Sequence, residues 1–135
     1  MGNYRSSEEK EGLLAEAAAF LEDRSEALFA YVFGSFLGGE AFDDMDIALY
    51  LEIDAGRDIL SLERELGGLL GVEVELSRLD KAPPSFAFRV IKEGRLIFSR
   101  DDRRRCDFEE RTRDLYFDFL PFYRRYYEEV VLGRR

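Results

Sequence analysis

The 135-residue sequence predicts a small α/β fold, a sheet layered against helices and followed by a helical carboxy-terminal tail. Three observations predict it. Segments with apolar residues at helical spacing alternate with short apolar runs of strand length. Two of those runs, Leu28–Phe33 and Ile47–Ile53, stand too close for a helix between them, which predicts direct antiparallel pairing rather than a crossover. From Asp101 to Val131 the periodicity is helical. We expect one domain over residues 1–135, with its core at about 26–100 and its tail at about 101–131.

Each element has a local reason. Ser6-Ser7 precede an acidic first turn, and Leu14, Ala17, Ala18 and Leu21 recur at helical spacing, which gives a helix over about residues 8–25. Leu28–Phe33 is a buried strand ended by Gly34-Ser35, and the interval 37–43, with Gly38-Gly39, is a loop. Ile47–Ile53 is a second buried strand with Asp46 at its entrance. From Ala55 to Leu70, the residues Ile59, Leu62, Leu66 and Leu69-Leu70 form one stripe of an amphipathic helix closed by Gly71. Val72–Leu76 alternates, with Val72, Val74 and Leu76 on one face and Glu73 and Glu75 on the other. Pro83-Pro84 opens a short helix through Phe86–Lys92, Gly94 ends it, and Leu96–Ser99 is a fourth strand. In the tail, Phe108, Leu115, Phe119, Phe122 and Tyr126 fall in rows, and Pro121 is expected to kink or divide the helix.

Composition narrows the function classes. With 46% hydrophobic and 36% charged residues, the chain supports a real core and is not a disordered segment. Its apolar runs fall far short of the ~20 residues that cross a membrane, and residues 1–12 lack the cationic start and apolar stretch of a secretory leader. The single cysteine, Cys106, excludes an internal disulfide and a zinc cluster, fits a cytoplasmic setting, and is expected at the core or its boundary. Through Leu60 there are 14 acidic and 4 basic residues, net −10; from Ser61 onward there are 15 and 16, net +1. Such a field disfavours stable binding of nucleic acid and favours a basic partner protein, or a nucleotide accompanied by divalent metal. Arg103-Arg104-Arg105 is flanked by Asp101, Asp102 and Asp107, so local ion pairs are expected there rather than an RNA contact. The chain has no histidine, so proton transfer near neutral pH falls to carboxylates, metal, Lys, Arg or Tyr.

One constellation carries chemistry. In an extended segment residues i and i+2 project to one side, so Asp44 and Asp46 can hold divalent metal while Met45 and Ile47 face the core. Magnesium takes hard oxygen ligands and commonly couples a few carboxylates to substrate phosphates. Gly34-Ser35 is the complementary part: glycine lets the backbone approach phosphate, and the hydroxyl and exposed N–H groups donate to its oxygens. Antiparallel pairing of the two strands brings this turn near the carboxylates. A third carboxylate would complete the clamp or activate an incoming hydroxyl. Glu73 and Glu75 both offer one, and spacing alone does not choose between them.

Phe33-Gly34-Ser35-Phe36 followed by Asp44-Met45-Asp46-Ile47 resembles the signature of the minimal nucleotidyltransferases of the DNA-polymerase-beta superfamily. Lys81-Ala82-Pro83-Pro84, Ala87-Phe88-Arg89-Val90 and Lys92-Glu93-Gly94-Arg95-Leu96 are similar to the MntA-type antitoxin group within it. The likeness continues in Phe108-Glu109-Glu110-Arg111-Thr112 and in Tyr116, Phe119 and Tyr126-Tyr127, covering about residues 26–128. The resemblance implies a minimal nucleotidyltransferase core with a mixed sheet, binding ATP and Mg2+. It implies that Gly34 and Ser35 bind phosphate and that Asp44, Asp46 and Glu75, counted back from Ala82-Pro83-Pro84, are the metal-binding and catalytic acids. It also implies a HEPN-domain toxin, an RNase, as partner, neutralised by transfer of AMP to a tyrosine hydroxyl. Two departures stand out: eight residues separate Ser35 from Asp44 where the group has about ten, and the third acid is Glu rather than Asp. The alternatives are an antitoxin that neutralises by binding alone, through the acidic half or the aromatic tail, and a nucleotidyltransferase acting on a small molecule. The crowded tail aromatics fit equally a docking surface and packing of the tail across the sheet.

Overall fold

In the computed structural model, residues 3–39, 41–52 and 58–133 are described. The expected end of the second strand at Ile53 and the expected helix opening at Ala55 lie outside them. The chain runs β1 (Asn3–Tyr4), α1 (Ser7–Glu22), β2 (Ala27–Phe33), a 3-10 turn (Gly34–Leu37), β3 (Ala41–Phe42), β4 (Met45–Leu51), α2 (Ile59–Leu70), β5 (Val74–Arg78), a second 3-10 turn (Leu79–Lys81), α3 (Pro84–Glu93), β6 (Arg95–Ser99) and α4 (Asp102–Tyr126), which ends in a π-helical turn (Tyr127–Val131). The main sheet has the order β5-β4-β2-β6. β2 pairs antiparallel with both β4 and β6, as the short connection predicts, while β4 and β5 are parallel because α2 supplies the crossover.

Caps set the helix boundaries. Ser6 Oγ accepts from the Glu9 N–H at 3.2 Å while Glu9 Oε1 accepts from the Ser6 N–H at 3.1 Å, so two orphan donors of α1 are satisfied reciprocally. Asp58 accepts from the Leu60 N–H at 3.0 Å, and Gly71, at φ +73°, closes α2 by donating to the Gly67 carbonyl at 2.8 Å. Asp101 caps α4 through the Arg104 N–H at 3.1 Å.

The strands alternate between two cores. On one side Ala30 and Val32 of β2 and Ile47, Leu49 and Leu51 of β4 meet Leu14, Ala17 and Leu21 of α1 and Leu62, Leu66 and Leu70 of α2. On the other, Phe29, Tyr31 and Ala48 meet Ala87 and Val90 of α3, with Tyr50 and Phe108 packed against them. Each fully buried large side chain contributes roughly 1.5–3 kcal/mol. This second layer is polar at one point: Tyr31 Oη donates to Glu109, which Arg105 also holds at 3.3 Å. Burial first, then the Glu109 hydrogen bond and charge, raise the Tyr31 pKa well above its usual value, so it stays a neutral donor.

Several sequence expectations need correction. The strand expected at Val72–Leu76 begins two residues later, because pairing starts where Val74 meets Met45. The loop expected at 37–43 is partly ordered by β1–β3 pairing, with Asn3 opposite Phe42 and Tyr4 opposite Ala41. Pro121 does not divide the tail, as α4 continues through it. That half of the helix is largely exposed, so the carbonyl freed by the proline can be hydrated. Cys106 is exposed, since the inward row of α4 is Phe108 and Thr112 and Cys106 is turned away from it.

Gly94 joins α3 to β6 in a confined place. A Cβ there would lie 2.5 Å from the Val90 carbonyl oxygen and 3.0 Å from that of Val32, both backbone atoms. Gly94→Ala is therefore expected to cost about 1–3 kcal/mol, read as a lower urea midpoint with unchanged slope.

Candidate active site

The carboxylates meet where the start of β4 lies beside β5. Parallel register places Asp46 opposite Glu75, and the Met45 N–H donates to the Glu73 carbonyl at 2.9 Å, fixing the start of that pairing. Met45 and Ile47 are fully buried, which anchors the strand and turns Asp44 and Asp46 to the opposite side. One carboxylate oxygen from each of Asp44, Asp46 and Glu75 lies within 4.8 Å of the others. Glu73 is not part of this group; it lines the wide depression of about 590 Å3 between α2 and β5, with Arg64 and Gly67. The three carboxylates converge outside that depression.

The Gly-Ser turn is built against the same group. β2 pairs with β4 so that Phe33 stands opposite Asp46, which carries the next residue, Gly34, over the Asp46 carboxylate. Gly34 has φ +80°, and a Cβ on it would sit 2.5 Å from Asp46 Oδ2. Only glycine serves both the backbone conformation and the close approach. Ser35 is exposed in the following turn, and its Oγ accepts from the Asp43 N–H at 3.2 Å. That bond uses an oxygen lone pair and leaves the hydroxyl hydrogen free to donate.

Crowding shows in the electrostatics. The Asp46 carboxyl is raised above the usual carboxylate range, by burial first and then by the charges of Glu75 and Asp44. Three hard oxygen donors, with no nitrogen or sulfur among them, are held together against their own repulsion. This donor set fits a hard divalent cation, which would relieve that repulsion.

The other sequence candidates are placed elsewhere. Arg105 makes the local ion pairs expected of that run, with Asp102 and Glu109, whereas Arg104 instead reaches across to Glu52 at 2.9 Å. Arg89 is paired with Glu93 at 3.4 Å. The tail aromatics divide: Phe108 packs on Phe29 and Tyr50, and Tyr116 stacks on Phe88 at 4.0 Å, whereas Phe117, Phe119, Phe122, Tyr126 and Tyr127 are exposed. The tail thus packs against the sheet and α3 only over its first turns.

The sequence reading missed the amino-terminal segment. Lys10 of α1 donates from Nζ to the Gly39 carbonyl and lies 4.5 Å from the Phe36 ring centroid and 5.5 Å from that of Phe42. A two-residue strand and one lysine leave no periodic signal; Lys10 is distinguished only as one of four basic residues before Ser61.

A family model described as "Polymerase beta, Nucleotidyltransferase" matches residues 16–103. No match was found among curated proteins. Among solved structures, a chain in a crystal of the toxin–antitoxin MntA-HepT is 19% identical with TM-score 0.72, covering 90% of this chain and 98% of that one. A chain in the complex of a tri-AMPylated Shewanella oneidensis HEPN toxin with MNT antitoxin is 20% identical with TM-score 0.74, over 90% and 98%. A third, from a toxin–antitoxin with AMP-PNP, is 20% identical with TM-score 0.75, over 87% and 98%. At this identity the likeness establishes a shared fold: the mixed sheet with flanking helices and a long final helix.

Proposed function

The chain belongs to the polymerase beta nucleotidyltransferase family, and on that premise we propose that it is an antitoxin-type protein adenylyltransferase, moving AMP from ATP to a tyrosine of a HEPN-type RNase toxin. The observation that carries this reading is the convergence of Asp44, Asp46 and Glu75 beside the Gly34-Ser35 turn. The fold is shared with chains in toxin–antitoxin complexes, one with a tri-AMPylated toxin and one with AMP-PNP, which supports the choice of donor and acceptor. The net charge of −10 through Leu60 suits docking on a basic, RNA-cleaving partner rather than on RNA. We read residues 1–135 as one such domain acting in the cytoplasm. Among the described residues no helix is long and apolar enough to cross a membrane.

Asp44, Asp46 and Glu75 would hold Mg2+. When bound, the ion supplies Lewis-acid stabilisation of charge developing on the phosphoryl oxygens. The chain's own residues do the rest. The Gly34 and Ser35 turn receives the polyphosphate through backbone N–H groups and the Ser35 hydroxyl, and so orients the α-phosphorus toward the open side of the sheet. The toxin's phenol oxygen forms a bond to that phosphorus, the bond to the bridging oxygen breaks, and pyrophosphate leaves along the turn. Glu75 is exposed, within reach of an incoming partner, and takes the phenolic proton.

Purified chain, toxin, ATP and Mg2+ are expected to give a toxin heavier by one or more AMP units in intact-mass measurement. Unchanged toxin mass with ATP bound to the chain would overturn the transfer reading. Neutralisation by binding alone would then stand, a second reading favoured by the exposed aromatic row Phe119, Phe122 and Tyr126.

A further inference from the structure

The loop carrying Ser35 is held from outside the sheet. Between Gly34 and Asp43 the backbone passes Gly38 and Gly39, the latter at φ +127°. Two glycines in series give such a loop much conformational freedom to lose. Lys10 fixes it at this point, with its ammonium on the Gly39 carbonyl and against the rings of Phe36 and Phe42. Phe36 directly follows Ser35. Phe42 directly precedes Asp43, whose N–H holds Ser35 Oγ. The two rings meet edge to face at 4.8 Å and both are buried. One half-buried cation therefore grips the glycine turn and both aromatic anchors flanking the Ser35–Asp43 bond. The hydrogen bond to Gly39 is exposed to solvent, whereas the cation–π contacts set the half-buried lysine against two buried rings, where its charge is less screened.

We propose that Lys10 is a positioning residue for the phosphate-binding loop, holding Gly34 and Ser35 in the arrangement that receives polyphosphate while its own charge is spent on the loop. This rests on the nucleotidyltransferase reading above. The short loop makes the tether consequential: with eight residues between Ser35 and Asp44, movement at Gly39 has little chain in which to dissipate before it reaches Ser35.

Lys10→Met keeps the aliphatic stem and removes the cation; Lys10→Arg keeps the cation. Affinity for a non-hydrolysable ATP analogue is measured with Mg2+ by calorimetry, and KM and kcat for AMP transfer are measured beside it. Lys10→Met is expected to weaken analogue binding and raise the ATP KM by roughly tenfold, the size of one lost charge-assisted contact, with kcat within about twofold and recovery in Lys10→Arg. Amide exchange should quicken across residues 35–39 while α1 stays protected. Analogue affinity and KM within about twofold of wild type, or faster exchange spread through α1, would overturn the inference and leave the transferase reading intact. A wild-type chain that binds no nucleotide would overturn both.

Discussion

Asp44→Asn combined with Asp46→Asn is expected to abolish AMP transfer, preserve toxin binding and make the metal-free chain more heat-stable. Lewis-acid stabilisation of a phosphoryl transition state is worth several kcal/mol, and each 1.4 kcal/mol is tenfold, so the loss of rate should be roughly 10³-fold or more. Both substitutions are isosteric, and neither side chain anchors the core; Met45 and Ile47 do that. Stability should rise because two of three mutually repelling carboxylates become neutral. The sign with pH follows from Asp46, whose folded pKa is raised. The folded state holds the proton to higher pH than the unfolded one, so the wild type loses stability as pH rises from the ordinary carboxylate pKa through the raised one. The double variant should lack that slope, and Mg2+ should raise the wild-type melting temperature alone. Scanning calorimetry across pH in EDTA and in Mg2+, intact-mass measurement of the toxin and co-purification of the complex check all three parts. Neutralisation preserved by the double variant would show that binding suffices.

Much of this site was legible because its residues lie at the junctions of strongly patterned segments. The two apolar runs around Gly34-Ser35 and Asp44-Met45-Asp46 had to be strands, and their short connection had to pair them antiparallel. The third acid was not legible from pattern alone. Glu73 and Glu75 share a face, and what separates them is the parallel register that sets Asp46 opposite Glu75, a consequence of how α2 returns the chain. The start of β5 was misread for a related reason. Val72 is buried like a strand residue, but it packs beneath α2 before pairing begins. The tail was legible only in part, since its pattern leaves open which aromatics pack and which stay free for docking. Its aromatic rows resemble a core face, yet only the turns reaching Phe108, Thr112 and Tyr116 find a surface to cover, and beyond them the helix outruns the domain. Lys10 was invisible because its partners, Gly39 and the Phe36 and Phe42 rings, are joined to it only in three dimensions.

Gly34→Ala should show how closely the phosphate turn and the carboxylates are built together. Two costs act at once. At φ +80° an L side chain is strained by about 1–3 kcal/mol. The added Cβ would also lie 2.5 Å from Asp46 Oδ2 and 3.5 Å from its Cγ. The contact is with the end of a side chain, so it can be relieved without unfolding, but the group that must move is a carboxylate of the site. A displacement of about 1 Å at a reacting centre costs on the order of 10²-fold, so transfer should fall by about that factor while the fold persists. Gly71→Ala separates the two costs. Gly71 has φ +73° and nothing within 4 Å of its would-be Cβ, and it closes α2 away from the three carboxylates. The two variants should lose similar amounts of melting temperature, and only Gly34→Ala should lose AMP transfer and Mg2+ affinity. Equal transfer in both would mean that Asp46 can swing clear of Gly34 and still serve, and the tight junction between turn and carboxylates would then be a packing feature rather than a catalytic one.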